Sequence, residues 1–231
     1  YCDVIRALER NGVSMIEIRN SFSDPMADGI VIQSRHPRPA QRHVPPPAFR
    51  TNLRDHPLAM SRIPLILMGT SIHHAVRLRS FCQKCVECGI DGVIIPRPPF
   101  SAITKKSYKA IASKYDIRVI MLITPETSEA RVREIDAHTD GFIYLVSSAA
   151  TTGAQKDFDT RKQAYFKKIK DMNLRNPRMV GFGISNKQTF DAACTHSSGA
   201  IIGSRFVTLL NEKEGDAEKA IRQLKEEVRK L

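Results

Sequence analysis

Short apolar runs alternate with stretches of helical period along most of this chain. From residue 81 onward the pattern predicts a helix over 81–88, a strand over 92–95, a helix over 105–115 and a strand over 118–123. It continues with a helix over 128–137, a strand over 141–146, a helix over 161–172 and a strand over 179–182. A helix over 187–194, a strand over 200–202 and two closing helices over 206–211 and 216–229 complete it. Upstream, Val4, Ile5 and Leu8 share one side of a helix over 1–11 that Gly12 stops. Strands over 13–18 and 63–68 follow. Strands alternating with helices imply parallel strands joined by right-handed crossovers. Largely apolar strands such as Ile117-Arg-Val-Ile-Met-Leu-Ile123 suit a sheet covered on both faces. Seven strands are expected, and the economical arrangement is an α/β fold, a TIM (β/α)8 barrel lacking its first strand. An open doubly wound sheet is the second choice.

The pattern fails between residues 34 and 61, where Pro37, Pro39, Pro45, Pro46, Pro47 and Pro57 exclude a normal helix. It fails again over 70–79, which holds His73, His74, Arg77 and Arg79. With 231 residues, a single barrel domain over 1–231 is the expectation. No apolar run approaches the roughly 18 residues of a membrane helix. No basic and apolar leader opens the chain, so a soluble, cytoplasmic protein is expected, with no membrane partner. The formal charge of +12 suggests nucleic acid until its location is considered. Arg35, Arg38, Arg42, Arg50, Arg54 and Arg62 stand against Asp55 alone between Ser34 and Arg62, while the remainder has mixed signs. Cys82, Cys85 and Cys88, three apart on one helix side with no fourth zinc-spaced ligand, read as structural thiols, so no metal is expected.

Chemistry concentrates in two places. In residues 13–33, Glu17 sits near the end of an apolar strand, and Asp24-Pro25 and Asp28-Gly29 shape the loop that follows. Two acids so placed can divide acid and base work, although Glu17 could equally form a structural salt bridge and Asp24 stands as well as Asp28. Late in the chain, Gly181-Phe182-Gly183-Ile184-Ser185 follows one strand, and Gly203-Ser204 follows the last and opens a helix. In β/α barrels the loops after strands 7 and 8 commonly hold phosphate, through glycine N–H groups, hydroxyls and a helix dipole. Thr152-Gly153, after Tyr144, could complete that cradle.

Five stretches occur in one order and spacing: Glu17, Phe22-Ser-Asp-Pro-Met-Ala-Asp-Gly-Ile-Val-Ile-Gln33, Tyr144-Leu-Val-Ser-Ser-Ala-Ala-Thr-Thr-Gly153, Gly181-Phe-Gly-Ile-Ser185 and Gly203-Ser204. In these the chain resembles the alpha subunit of tryptophan synthase. The resemblance implies a barrel that cleaves indole-3-glycerol phosphate to indole and glyceraldehyde 3-phosphate, with no cofactor of its own. It implies Glu17 as general acid/base and Asp28, rather than Asp24, as the second catalytic acid. Tyr144 and Phe182 would line the indole pocket, and Thr152, Gly153, Gly183, Ser185, Gly203 and Ser204 would surround the phosphate. The implied partner is a pyridoxal-phosphate beta subunit in an alpha2-beta2 assembly.

The chain also departs from that pattern. Arg19-Asn20-Ser21 stands where the family has Gly-Ile-Pro, bringing a cation close to Glu17, and Arg97 replaces a pocket Asp. The Pro/Arg/His-rich blocks have sharp edges between intact motifs, which suggests a shifted and later restored reading frame; retranslating the coding DNA tests this. A barrel that keeps the site but turns over poorly is the rival within this class. A basic arm binding nucleic acid is the rival outside it, against which stands the shortage of aromatics around Phe49.

Overall fold

The computed structural model describes residues 2–19, 61–68, 75–95, 107–147, 160–181 and 183–229. The chain divides into two compact units, one of Tyr1–Asp24, Pro39–Met121 and His138–Gly141, the other of Pro25–Arg38, Leu122–Ala137 and Phe142–Leu231.

The first unit opens with helix α1 (Cys2–Arg10), which buries Ile5 and Ala7. Gly12, at φ +75°, ends it. The Gly12 N–H donates to Glu9 O at 3.0 Å and the Val13 N–H to Leu8 O at 3.2 Å, the two bonds of a Schellman stop. Val13 is thereby spent on the helix end, so strand β1 runs Ile16–Arg19 rather than over the expected 13–18. Next come β2 (Leu65–Met68), α2 (Ala75–Glu87), β3 (Gly92–Ile95), α3 (Ser107–Lys114) and β4 (Arg118–Ile123), whose last two residues fall in the second unit. Neighbouring strands are parallel, with Ile16 opposite Leu65, Ile66 opposite Gly92 and Gly92 opposite Arg118. Asp91 pins the amino ends of β2, β3 and β4. Its carboxylate accepts the Leu65 N–H at 2.8 Å, its own N–H donates to Leu65 O, and its carbonyl accepts the Arg118 N–H. The loops at the opposite, carboxyl ends are left to carry chemistry.

Helix α2 begins six residues before the expected start at 81. The reason is that Leu78 leads a buried stripe with Cys82 and Cys85, at helical spacings of four and three. Burial pushes the Cys82 thiol up to about 11 and the Cys85 thiol higher still, which suits structural thiols; Cys88 is only half-buried.

The second unit holds most of α4 (Glu129–His138), then β5 (Ile143–Val146), α5 (Thr160–Asp171), β6 (Arg178–Gly181), α6 (Lys187–His196) and β7 (Gly199–Ile201). Helices α7 (Ser204–Glu212) and α8 (Ala217–Arg229) close the chain. The strands pair in parallel, with Tyr144 opposite Met179, Val146 opposite Gly181 and Gly181 opposite Ile201. Asp136 at the end of α4 accepts the N–H groups of Arg175 and Asn176, which delivers the chain into β6. Helix α8 buries Ala217, Ala220, Ile221, Leu224 and Val228. Of these, Ile221, Leu224 and Val228 each contribute about 1.5–3 kcal/mol when fully buried. Across α7 and α8, the Arg205 guanidinium grips both oxygens of Glu227, at 2.7 Å through Nε and 2.5 Å through Nη2. This pair holds the Glu227 carboxyl below its ordinary range.

Candidate active site

In the first unit, strand pleating decides where Glu17 points. Ile16 and Ile18 are buried on one face of β1, which leaves Glu17 and Arg19 together on the other. Their side chains meet: Arg19 Nε donates to Glu17 Oε1 at 2.5 Å, with the two side chains only 20% and 13% exposed. The remaining oxygen, Oε2, is buried and has no hydrogen-bond partner among the described residues. A buried carboxylate oxygen without a donor is costly unless something else comes to meet it. Glu17 is therefore tied down at one oxygen and open at the other. The expected closeness of cation and acid is a direct ion pair.

In the second unit, two glycine loops carry the other described candidates. Tyr144 is 1% exposed on β5. It stands diagonally across from Gly181, two positions beyond its direct partner Met179 on the same face. A Cβ at Gly181 would overlap the Tyr144 hydroxyl and ring carbons, so glycine is what lets the ring lie flat over β6. Gly183 follows with φ +81°, the left-handed region, above the buried Ser147.

Ser185 precedes Asn186, the N-cap of α6. The Asn186 side chain accepts the Thr189 N–H at 2.9 Å, and the Thr189 hydroxyl accepts the Asn186 N–H at 3.2 Å, a reciprocal capping box. The same hydroxyl also accepts the Ser185 N–H at 3.1 Å. Two N–H groups that could have served an anion are thus already engaged, and Ser185 has its hydroxyl to offer. From the sequence a helix is expected over 187–194, but neither Asn186 as its cap nor the reach of Thr189 back to Ser185 was identified there.

Helix α7 begins differently. Gly203 is its N-cap, and among the described residues no side chain caps it and none would meet a Cβ there within 4 Å. The Ser204 hydroxyl makes no hydrogen bond among the described residues. Arg205, in the first turn, is turned onto Glu227 and Glu212 instead. An anion at this end would be held by N–H dipoles and hydroxyls. Asp28, Thr152, Gly153 and Phe182 lie outside the described residues, as does Arg97.

Parallel strands alternating with helices, with glycine-rich loops at the carboxyl ends of β6 and β7, define an α/β protein of the TIM-barrel class. The family model described as tryptophan synthase alpha chain matches residues 1–231. The chain belongs to the tryptophan synthase alpha chain family. A tryptophan synthase alpha chain of Bacteroides thetaiotaomicron is 63% identical over 225 residues, covering 97% of this chain and 87% of that protein. The alpha subunit of tryptophan synthase from the hyperthermophile Pyrococcus furiosus superposes with TM-score 0.81 at 26% identity, over 99% of this chain and 91% of that one. A chain of the Pyrococcus furiosus tryptophan synthase complex superposes with TM-score 0.80 at 27% identity, over the same shares. The chain is accordingly a lyase subunit of tryptophan biosynthesis.

Proposed function

We propose that this chain cleaves indole-3-glycerol phosphate to indole and glyceraldehyde 3-phosphate by a retro-aldol reaction, with Glu17 as general acid/base. The observation that carries the proposal is the division of Glu17 into a fixed oxygen and a buried one with no hydrogen-bond partner among the described residues. Cleavage needs a proton delivered to indole C3 and a proton removed from the side-chain hydroxyl, after which the C3–carbinol bond breaks and the hydroxyl carbon becomes the aldehyde. One proton is gained and one lost, so a single carboxyl group can serve both steps in turn. Protonating C3 puts positive charge on the indole nitrogen, and Asp28 is the anion assigned to stabilise it. Tyr144 and Phe182 line the ring pocket. Thr152, Gly153, Gly183, Ser185, Gly203 and Ser204 hold the phosphate, the last two supported by the uncapped start of α7.

The reaction uses acid–base chemistry and needs no cofactor from this chain. Membership of the family and the likeness to a chain of a tryptophan synthase complex support a beta-subunit partner. We assign that partner the pyridoxal phosphate and the indole produced here, in an alpha2-beta2 assembly. The test is an indole-release assay on indole-3-glycerol phosphate, with and without a beta subunit. Glu17→Gln is expected to lower kcat by at least about 10²-fold, the scale of a lost general acid/base. Equal rates in the two proteins would remove Glu17 from the mechanism.

A further inference from the structure

We propose that Thr189, a residue outside the candidate site, is a positioning residue for phosphate binding, because its hydroxyl sets the loop that presents Ser185. The inference rests on the reading above that Ser185 and Gly183 face the phosphate.

Thr189 is fully buried, on the first turn of α6. Its Oγ1 lies 3.1 Å from the Ser185 N–H and 3.2 Å from the Asn186 N–H, and accepts from both. The hydroxyl proton goes to one of two acceptors on Asn186, the carbonyl or Oδ1, each at 3.0 Å. One buried hydroxyl therefore fastens two consecutive N–H groups and one further acceptor. An ordinary capping box needs only the Asn186 contact; the bond to Ser185 extends the clamp one residue into the loop. That extension fixes the backbone of Ser185 while its hydroxyl makes no hydrogen bond among the described residues. Ile184, between Gly183 and Ser185, is buried and anchors the other side of the turn. Gly183 supplies the left-handed turn, Ile184 the anchor and Thr189 the latch, so the Ser185 hydroxyl is presented on a loop with little freedom to turn away. Preorganised donors bind an anion without an ordering cost at the moment of binding.

Thr189→Val keeps the shape and removes the hydroxyl. The expected result is a rise of about tenfold in KM for indole-3-glycerol phosphate and in Kd for glycerol 3-phosphate, which has the phosphate but no indole, with kcat within about twofold. Thr189→Ser, which keeps the hydroxyl, restores both. Asn186→Ala separates positioning from mere stability, because it removes the side-chain cap and leaves the Thr189–Ser185 bond. It is expected to lower Tm while glycerol 3-phosphate affinity stays within about twofold of the parent, for loss of a cap costs stability of about 1 kcal/mol. The inference is overturned if Thr189→Val binds glycerol 3-phosphate as the parent does, or if Asn186→Ala weakens it as much as Thr189→Val. Should Thr189→Val fail to fold, Thr189→Ala takes its place: glycerol 3-phosphate binding at the parental level there overturns the inference, and a loss of about tenfold that Thr189→Ser does not share supports it. A parent protein that does not bind glycerol 3-phosphate at all would defeat the phosphate reading itself, a result separate from any difference among variants.

Discussion

Two loops in the second unit lead from a strand through glycine into a helix, and they are built on opposite principles. The loop from β6 into α6 is closed: Gly181 is packed against Tyr144, Gly183 takes a left-handed turn, and the Asn186–Thr189 box engages the N–H groups of Ser185, Asn186 and Thr189. The loop from β7 into α7 is open, for Gly203 has an ordinary negative φ and, among the described residues, space around its Cβ and no side-chain cap. Glycine does different physical work in each. In the first it is required by sterics and backbone geometry, and in the second it leaves a helix end exposed. The first loop can therefore serve an anion through a fixed hydroxyl, and the second through bare N–H groups and a helix dipole.

The largest effect is expected where the closed loop is packed most tightly. Gly181→Ala places a methyl into the Tyr144 ring, which is buried. Overpacking of this kind costs about 1–3 kcal/mol and occasionally more, and the cost should appear as a large loss of thermal stability together with lost turnover. A fully stable Gly181→Ala would show that the Tyr144 ring is free to shift, and the contrast between the loops would weaken.

The open loop is probed by closing it. Gly203→Asp gives α7 an N-cap acceptor of its own, with room for the side chain. Stability is expected to rise by about 0.5 kcal/mol, from capping and the dipole together. Affinity for glycerol 3-phosphate should fall on the order of 10²-fold, since a carboxylate would stand where a phosphate is to bind. A more stable protein that binds less is the signature of a helix end kept open for a ligand. If affinity is unchanged, the phosphate is held elsewhere.

Much of this architecture was legible in the sequence, and the errors have local causes. All seven expected strands exist, because short β-branched runs between helical periods identify buried parallel strands. The start of β1 was misplaced since apolar Val13 looks like strand but closes a helix through its N–H. The start of α2 was missed because the basic stretch over 70–79 hid Leu78, the first member of the stripe with Cys82 and Cys85. Of the candidate site, the sequence named Glu17 and the glycines and serines as residue types suited to the proposed chemistry. The fit of Tyr144 over Gly181 and the reach of Thr189 to Ser185 were not, for both depend on where neighbouring backbone comes to lie. The pairing of Arg19 with Glu17 is an intermediate case: alternation along a strand places them on one face, and only the structure shows which oxygen is taken and which is left without a partner among the described residues.

The smallest expected effect sharpens the contrast most cleanly, because it isolates backbone from packing. At Gly183 a Cβ would stand 3.7 Å from the Ser147 Oγ, an ordinary contact, so Gly183→Ala meets no steric obstacle. What remains is φ +81°, which an alanine adopts only at a cost of roughly 1–2 kcal/mol. Two responses are open to the variant. If the Thr189 latch and Ile184 hold the loop, the strain is stored and appears as a small drop in Tm with glycerol 3-phosphate affinity nearly unchanged. If the loop relaxes instead, Tm is kept and affinity falls, because Ser185 turns with the backbone. A closed loop predicts the first outcome, and the second would mean that the β6–α6 connection is as adaptable as the one that opens α7.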